Sequence, residues 1–186
     1  EESLGLSYIG CDYYPTVNPN FPGYAGGNNV YAVAVANTTG EIASVTITRG
    51  DNVVAERDVA PDSVETINLP WIDQLTQTNN TTVLADGAYR LRSTEPVTVY
   101  QYNPINATVT NDASLLLPVN ALTESAMAVS WPYWQAFNMP GYYSITATED
   151  DTTITLTPSA TGGNVKPGGG VNANGTGEVS LDQGDV

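Results

Sequence analysis

Apolar and polar residues alternate with a period of two along much of the first half of the chain. Tyr31, Val33 and Val35 alternate with alanines, and further along Val45 and Ile47 alternate with threonines. A period of two places successive side chains on opposite faces of an extended strand. The pattern therefore predicts strands that turn one face inward.

Turn-forming residues separate these alternating stretches. Gly, Asn, Asp and Ser reverse the chain readily, because they tolerate turn conformations or bond to the nearby backbone. Two such turns are expected at residues 93–96 and at the acidic residues 149–151, where they join neighbouring strands. Further strands are predicted at residues 53–57, 64–69, 89–92, 97–102, 113–119, 126–131, 142–148, 152–157 and 178–181. Since no stretch has a convincing helical period, the fold class is expected to be all-β.

Three stretches of the first half recur about one sandwich domain later. The first copies lie at 31–33, 45–48 and 64–69, and the later copies at 143–145, 154–157 and 178–181. The strand pattern predicts an immunoglobulin-like or Greek-key β-sandwich. We expect the first sandwich to span residues 1–125. A second, related sandwich is expected to begin within residues 126–186, which contain a Gly- and Asn-rich loop at 159–177.

The composition excludes several classes of function. The 186 residues contain no His, which rules out Ser-His-Asp and Cys-His catalysis and His-ligated metals. Five Lys and Arg stand against 20 Asp and Glu, a net charge of −15 that repels a phosphate backbone and argues against nucleic-acid binding. The longest apolar run, residues 31–36, is far shorter than the roughly 20 residues of a membrane span. A mature extracellular or cell-surface segment is expected, without enzymatic activity.

The chain contains a series of short motifs: GCDYY at 10–14, YAVAVAN at 31–37, GAYRL at 87–91, PVTVYQYNP at 96–104, TNDASLLLP at 110–118, SWP at 130–132 and ATE at 147–149. In order and spacing they resemble the IgGFc-binding-protein N-terminal domain family, in particular its bacterial surface proteins of the myxobacterial type. NDASLLLP is the most specific of these motifs. The resemblance implies a secreted or surface protein, usually longer and with a second similar half. It implies no catalytic residues and no antibody binding for this chain.

Two motifs are candidates for recognition. Arg49, Gly50 and Asp51 form an integrin-type tripeptide between two predicted strands, where Gly and Asp also simply suit a turn. Trp131, Tyr133 and Trp134 lead an aromatic group that also includes Phe137, Tyr142 and Tyr143. This group is expected to form a stacking platform for sugars, an interface patch, or a cap over the open end of the sandwich.

Two further features concern metal and redox chemistry. Glu149, Asp150 and Asp151 could supply oxygen ligands to calcium, together with Asp12, Asp112 and Glu124, or form a solvated turn. No cofactor other than calcium is expected. Cys11, the single cysteine, is a small buried hydrophobe, a free thiol, or half of a disulfide to a residue outside this segment.

These observations favour a non-catalytic, secreted or cell-surface structural or adhesive module that mediates protein–protein interaction. One alternative is a subunit of an extracellular filament or surface layer, completed by a neighbouring chain. The other is a carbohydrate-binding module that uses Trp131 and Trp134. The expected partners are therefore proteins, further copies of the chain, or glycans, and neither nucleic acid nor a membrane span is expected.

Overall fold

A computed structural model describes residues 5–20, 29–76, 80–107, 110–130, 133–137, 139–159 and 165–186. Within these ranges the chain contains strands and short 3-10 turns but no α-helix, which confirms the all-β prediction. The strands are β1 (Gly10–Tyr13), β2 (Tyr31–Asn37), β3 (Ala43–Arg49), β4 (Asn52–Val59), β5 (Ser63–Leu69), β6 (Arg90–Tyr102), β7 (Ala113–Leu115), β8 (Thr152–Leu156) and β9 (Gly177–Leu181). The 3-10 turns are Asp73–Thr76, Val119–Ala121 and Gln135–Phe137. None of the described helical turns is long and apolar enough to cross a membrane.

The large antiparallel sheet is organised around β6. Its strand order is β4-β3-β6-β2-β5, and β1 and β7 also pair with β6. The first part of β6 pairs with β3 on one edge and β1 on the other, since Leu91 faces both Ile47 and Tyr13. The last part pairs with β2 and β7, since Tyr100 faces both Ala34 and Leu115. The long strand β6 therefore belongs to two sets of paired strands, one at each of its ends, which is consistent with a sandwich.

The prediction of a turn at residues 93–96 was wrong, because β6 continues through them as a single strand of 13 residues. Ser93 pairs with β3, whereas Val97 already pairs with β2. Between these two pairings the Thr94 hydroxyl accepts a hydrogen bond from the Ser44 backbone N–H at 2.9 Å. Pro96 has no N–H to contribute to a ladder. It therefore lies where β6 changes partner strands instead of where the chain turns.

The alternating residues form one hydrophobic core, as their period predicted. Tyr31, Val33 and Val35 of β2 are fully buried, and the core continues through alternate residues of β3, β5 and β6. The rings of Tyr31 and Tyr89 stack with their centroids 6.0 Å apart. Ala32 is also fully buried, so β2 is covered on both faces and its intervening positions accommodate small residues. The core thus fixes the register of the central strands.

β8 and β9 form a separate two-stranded sheet with a small core of its own. Its buried apolar residues are Ala147, Val171, Val179 and Leu181. The strands expected at 152–157 and 178–181 are confirmed, but they pair with each other. The strand expected at 142–148 is absent, and described residues 126–130 form no strand either. The acidic residues 149–151 therefore precede β8 without closing a hairpin.

Residues 142–148 are extended alongside the segment that follows β1. The Tyr14 hydroxyl donates to the Thr148 carbonyl at 3.3 Å, and the hydroxyls of Thr16 and Thr146 are 2.9 Å apart. Side chains make these contacts, and no ladder of backbone bonds joins the two segments among the described bonds. The apolar alternation that predicted a strand here reflects this docking instead.

The last residues of the chain also form backbone hydrogen bonds with residues 84–88, which precede β6. Leu84 and Val186 exchange backbone hydrogen bonds of 2.8 and 3.1 Å, and Ala88 N–H donates to the Gly184 carbonyl at 2.9 Å. The described part of the Gly- and Asn-rich loop forms tight turns, with Gly168 and Val171 bonded to each other in both directions. The division into residues 1–125 and 126–186 stays a prediction, and these hydrogen bonds cross it.

Candidate functional site

Residues 129, 130, 133, 134 and 139–142 line an open groove of about 700 Å³ on the surface. Its lining includes Val129, Tyr133, Trp134, Met139, Pro140 and Tyr142. Trp134 and Met139 form an antiparallel bridge, with Trp134 N–H donating to the Met139 carbonyl at 2.7 Å and the reverse bond at 3.2 Å. Because backbone atoms make this bridge, the bridge itself does not require the Trp134 side chain.

The aromatic side chains of the groove are half-exposed. Tyr133 and Trp134 each keep 52% of their surface exposed, and Tyr142 keeps 40%. A cap over the sandwich end requires burial of such residues, whereas a stacking platform or an interface patch requires exposure. The exposure therefore favours a stacking platform or an interface patch over a cap. Trp131 lies outside the described residues, as does the side chain of Phe137.

Hydrogen bonds connect one wall of the groove to the segment between β1 and β2. The Tyr142 hydroxyl donates to the Pro19 carbonyl at 2.9 Å, and the Ser144 hydroxyl donates to Asn18 Oδ1 at 2.6 Å. Asn18 is held in turn by the buried Asn103, with paired hydrogen bonds of 3.0 and 2.9 Å between backbone and side-chain amide. Burial raises the pKa of Tyr142, and the negative charge of Asp112 raises it further. Polar contacts therefore connect this wall of the groove, through Asn18, to Asn103 directly after β6.

A second polar cluster surrounds Arg90 at the start of β6. Its guanidinium donates to the Asp12 carboxylate from Nε and Nη2, with the shortest contact 2.6 Å, and Nη1 donates to Gln183 Oε1 at 2.8 Å. The guanidinium carbon lies 5.7 Å from the Tyr14 ring centroid. Burial raises the pKa of Tyr14 to about 12. Sequence reasoning missed this cluster because its ion-paired residues are 78 positions apart.

The Arg49-Gly50-Asp51 tripeptide lies at the tip of the β3–β4 hairpin, as its sequence context indicated. Gly50 has a φ of +53°, and a Cβ atom at this position would lie 2.8 Å from the carboxyl group of Asp86. Arg49 Nε donates to the Asp86 carbonyl at 2.7 Å. The tripeptide is therefore held against the chain's own backbone. Cell recognition through it stays a prediction.

The acidic residues 149–151 are exposed and bond to the C-terminal segment. Asp150 Oδ1 accepts the Gln183 backbone N–H, and Asp151 N–H donates to Asp182 Oδ1, both at 3.1 Å. Across the described ranges, no three or more His, Cys, Asp or Glu side chains are grouped so that they could hold a metal ion. Calcium binding stays a prediction.

Cys11 lies in β1 at the irregular pairing between Gly10 and Asp12, and its side chain is partly buried. A disulfide from Cys11 to a residue outside this segment stays a prediction.

A family model described as "IgGFc binding protein" matches residues 112–186. The matched part begins just before β7 and includes the groove, β8 and β9. It supports the resemblance drawn from the motifs, of which those at residues 10–104 lie outside the match. Searches of the curated proteins and of the solved structures gave no match.

Proposed function

We propose that the chain is a non-catalytic, secreted or cell-surface module, related to the IgGFc-binding-protein family, that binds a protein partner through the aromatic groove. The observation that carries the proposal is the half-exposure of Tyr133 and Trp134 beside an open apolar groove. Trp and Tyr supply large contact areas at low entropic cost, and they dominate the binding energy of many interfaces. Val129, which lines the groove, is 87% exposed, and Met127, two residues before it, is 89% exposed.

The composition supports the remaining parts of this proposal. A chain without His lacks the usual proton-transfer group at neutral pH, which favours binding over catalysis. A net charge of −15 favours solubility outside the cell. The description of the matched family names a protein ligand, the Fc part of IgG. For this chain Fc serves as one probe among several.

Self-assembly into a filament or layer is a second candidate, favoured by the surface around β7. This strand is exposed along its whole length, and the described pairings join it only to β6. Leu117 and Leu122 follow it with 52% and 47% exposure. An exposed strand edge of this kind can be extended by a strand of a neighbouring molecule.

Binding measurements with a matched variant pair test the main proposal. Immobilised wild-type chain, Trp134→Ala and Tyr8→Ala are compared against IgG Fc, a mucin-type glycoprotein, its deglycosylated form and free glycans. Tyr8 is the control because it is 55% exposed and does not line the groove. We expect a protein ligand whose affinity falls at least about tenfold with Trp134→Ala, the effect of a binding hot spot, and is unchanged with Tyr8→Ala.

The other outcomes separate the alternatives. Binding to free glycans that requires Trp134, with no binding to deglycosylated protein, would establish a carbohydrate-binding module instead. Concentration-dependent assembly in analytical ultracentrifugation that is unaffected by Trp134→Ala would favour the filament. A protein ligand that binds both variants as tightly as the wild type would refute the groove as the binding site.

A further inference from the structure

A carboxylate lies beside one wall of the groove. The Tyr142 hydroxyl bonds to the Pro19 carbonyl, and the next residue, Asn20, places its side-chain nitrogen 3.5 Å from Asp112 Oδ2. Two adjacent residues, Pro19 and Asn20, thus contact the Tyr142 hydroxyl and the Asp112 carboxylate respectively. Burial raises the pKa of Tyr142, and the negative charge of Asp112 raises it further.

The lining of the groove is otherwise uncharged. Among the described residues that line it, none is Lys or Arg and none is Asp or Glu. A cation that entered would meet the half-exposed rings of Tyr133 and Trp134, and the Asp112 carboxylate lies outside the lining on the side of Tyr142. Aromatic faces attract cations through their quadrupole, and a nearby carboxylate adds Coulomb attraction. An anion would meet only repulsion from Asp112.

The chain already uses this combination internally. Arg90 lies over the ring of Tyr14 and pairs with the Asp12 carboxylate. In that cluster one guanidinium is bound by one tyrosine face and one acidic side chain. The groove presents aromatic rings, including that of Trp134, and Asp112 supplies an acidic group next to its lining.

The overall charge of the chain also favours a cationic ligand. Twenty acidic residues against five basic ones give the chain a negative field that attracts cationic partners and repels acidic ones. We propose, on the basis of the function proposed above, that the groove binds an Arg or Lys side chain carried by an extended segment of the partner protein. Arg is favoured because its planar guanidinium stacks on aromatic faces, whereas the ammonium group of Lys is more strongly hydrated.

Labelled peptides test the inference directly. The probes are a short flexible Gly-Ser peptide with two arginines and the same peptide with citrulline, lysine or glutamate in their place. Citrulline keeps the shape of the arginine side chain but lacks its charge. Fluorescence anisotropy gives Kd for the wild type, Trp134→Ala, Asp112→Asn and Glu65→Gln. Glu65 is the charge-matched control because it is an exposed acid on β5, outside the groove.

We expect the arginine peptide to bind at least about fivefold more tightly than the citrulline peptide, and the glutamate peptide to bind most weakly. Trp134→Ala should weaken arginine-peptide binding about tenfold and Asp112→Asn about threefold, with Glu65→Gln close to the wild type. The preference for arginine over citrulline should shrink as salt rises above about 0.15 M, because screening weakens partly exposed charge interactions.

The outcomes separate this inference from the proposed function. Equal affinity for the arginine and citrulline peptides, with both affinities dependent on Trp134, would refute cation recognition and leave the groove as a binding site. Arginine-peptide binding that Glu65→Gln weakens as much as Asp112→Asn would also overturn it, since only the overall charge would then matter. Failure of every peptide to bind at about 1 mM overturns the inference, while the Trp134→Ala result with protein ligands decides the function separately.

Discussion

Buried polar side chains in this chain are held by several partners at once. Asn37, only 1% exposed, donates from Nδ2 to the carbonyls of Glu41 and Val59 at 2.8 and 3.0 Å. Its Oδ1 accepts the Thr39 backbone N–H at 2.9 Å. A buried amide is stable only when its donors and acceptors are satisfied in this way. Asn37 therefore fixes the turn after β2 against the end of β4.

Tyrosine ionisation predicts how stability depends on pH. Burial raises the pKa of Tyr14 from 10.0 to about 12, so the folded state holds its phenol proton more tightly than the unfolded state. The contribution of Tyr14 to stability is complete below about pH 10 and is lost as pH rises towards 12. Urea unfolding across this window should show a smaller loss of unfolding free energy for Tyr14→Phe than for the wild type.

Tyr8→Phe is the control for this experiment because Tyr8 is exposed. It should follow the wild type across the whole window. The buried Tyr31 also has a raised pKa, so some alkaline loss should remain in every variant. Identical pH profiles for Tyr14→Phe and the wild type would contradict the assignment.

Aromatic clustering in the sequence identified Tyr133 and Trp134 as candidates, and the structure brings both to the groove. Asp112 was considered only as a calcium ligand. Its contact near the groove is with Asn20, 92 positions away, for which the sequence carries no local signal. Met139 was missed although it is only five positions from Trp134, because an isolated backbone bridge leaves no periodic pattern in the sequence.

At the scale of elements, strands with one buried face were predictable. β2, β3 and β5 lie close to the stretches expected from alternation, because a period of two is required when one face is buried. β6 was divided in two because Pro96 resembles a turn residue, and the sequence does not show that partner strands change there. Residues 142–148 alternate like a strand but dock through side chains. In both cases tertiary contacts outweighed the local pattern.

Arg90 joins three parts of the chain, which predicts the effect of its removal. It links β6 to Asp12 of β1 and to Gln183 of the C-terminal segment. The ion-paired side chains of Arg90 and Asp12 are 30% and 15% exposed, so the pair is partly desolvated. Arg90→Ala should lower the free energy of unfolding by about 2 kcal/mol, measured by urea denaturation.

Two further variants make this measurement specific. Arg90→Lys should recover only part of the loss, because a lysine cannot reproduce the forked contact with the carboxylate. Arg57→Ala, an exposed position on β4, should change the unfolding free energy by less than about 0.5 kcal/mol. An Arg90→Ala variant as stable as Arg57→Ala would show that the cluster does not hold these elements together.

At the scale of the whole molecule, the groove and the two sheets are joined by contacts from distant parts of the chain. Pro19 holds Tyr142, and Leu84 pairs with Val186. A binding site on such a support is more precisely positioned than one on an isolated loop. Long-range polar contacts of this kind are also the least visible in a single sequence, so the sequence identified aromatic residues of the groove but not the contacts that hold the groove in place.

The most direct test of the central claim is hydrogen–deuterium exchange of the chain with and without its protein ligand. The account predicts slower exchange for backbone amides of residues 129–142, including those of Trp134 and Met139, with little change in β2 and β3. Protection confined to β7 or to the Arg49-Gly50-Asp51 hairpin tip, with exchange in the groove unchanged, would contradict it.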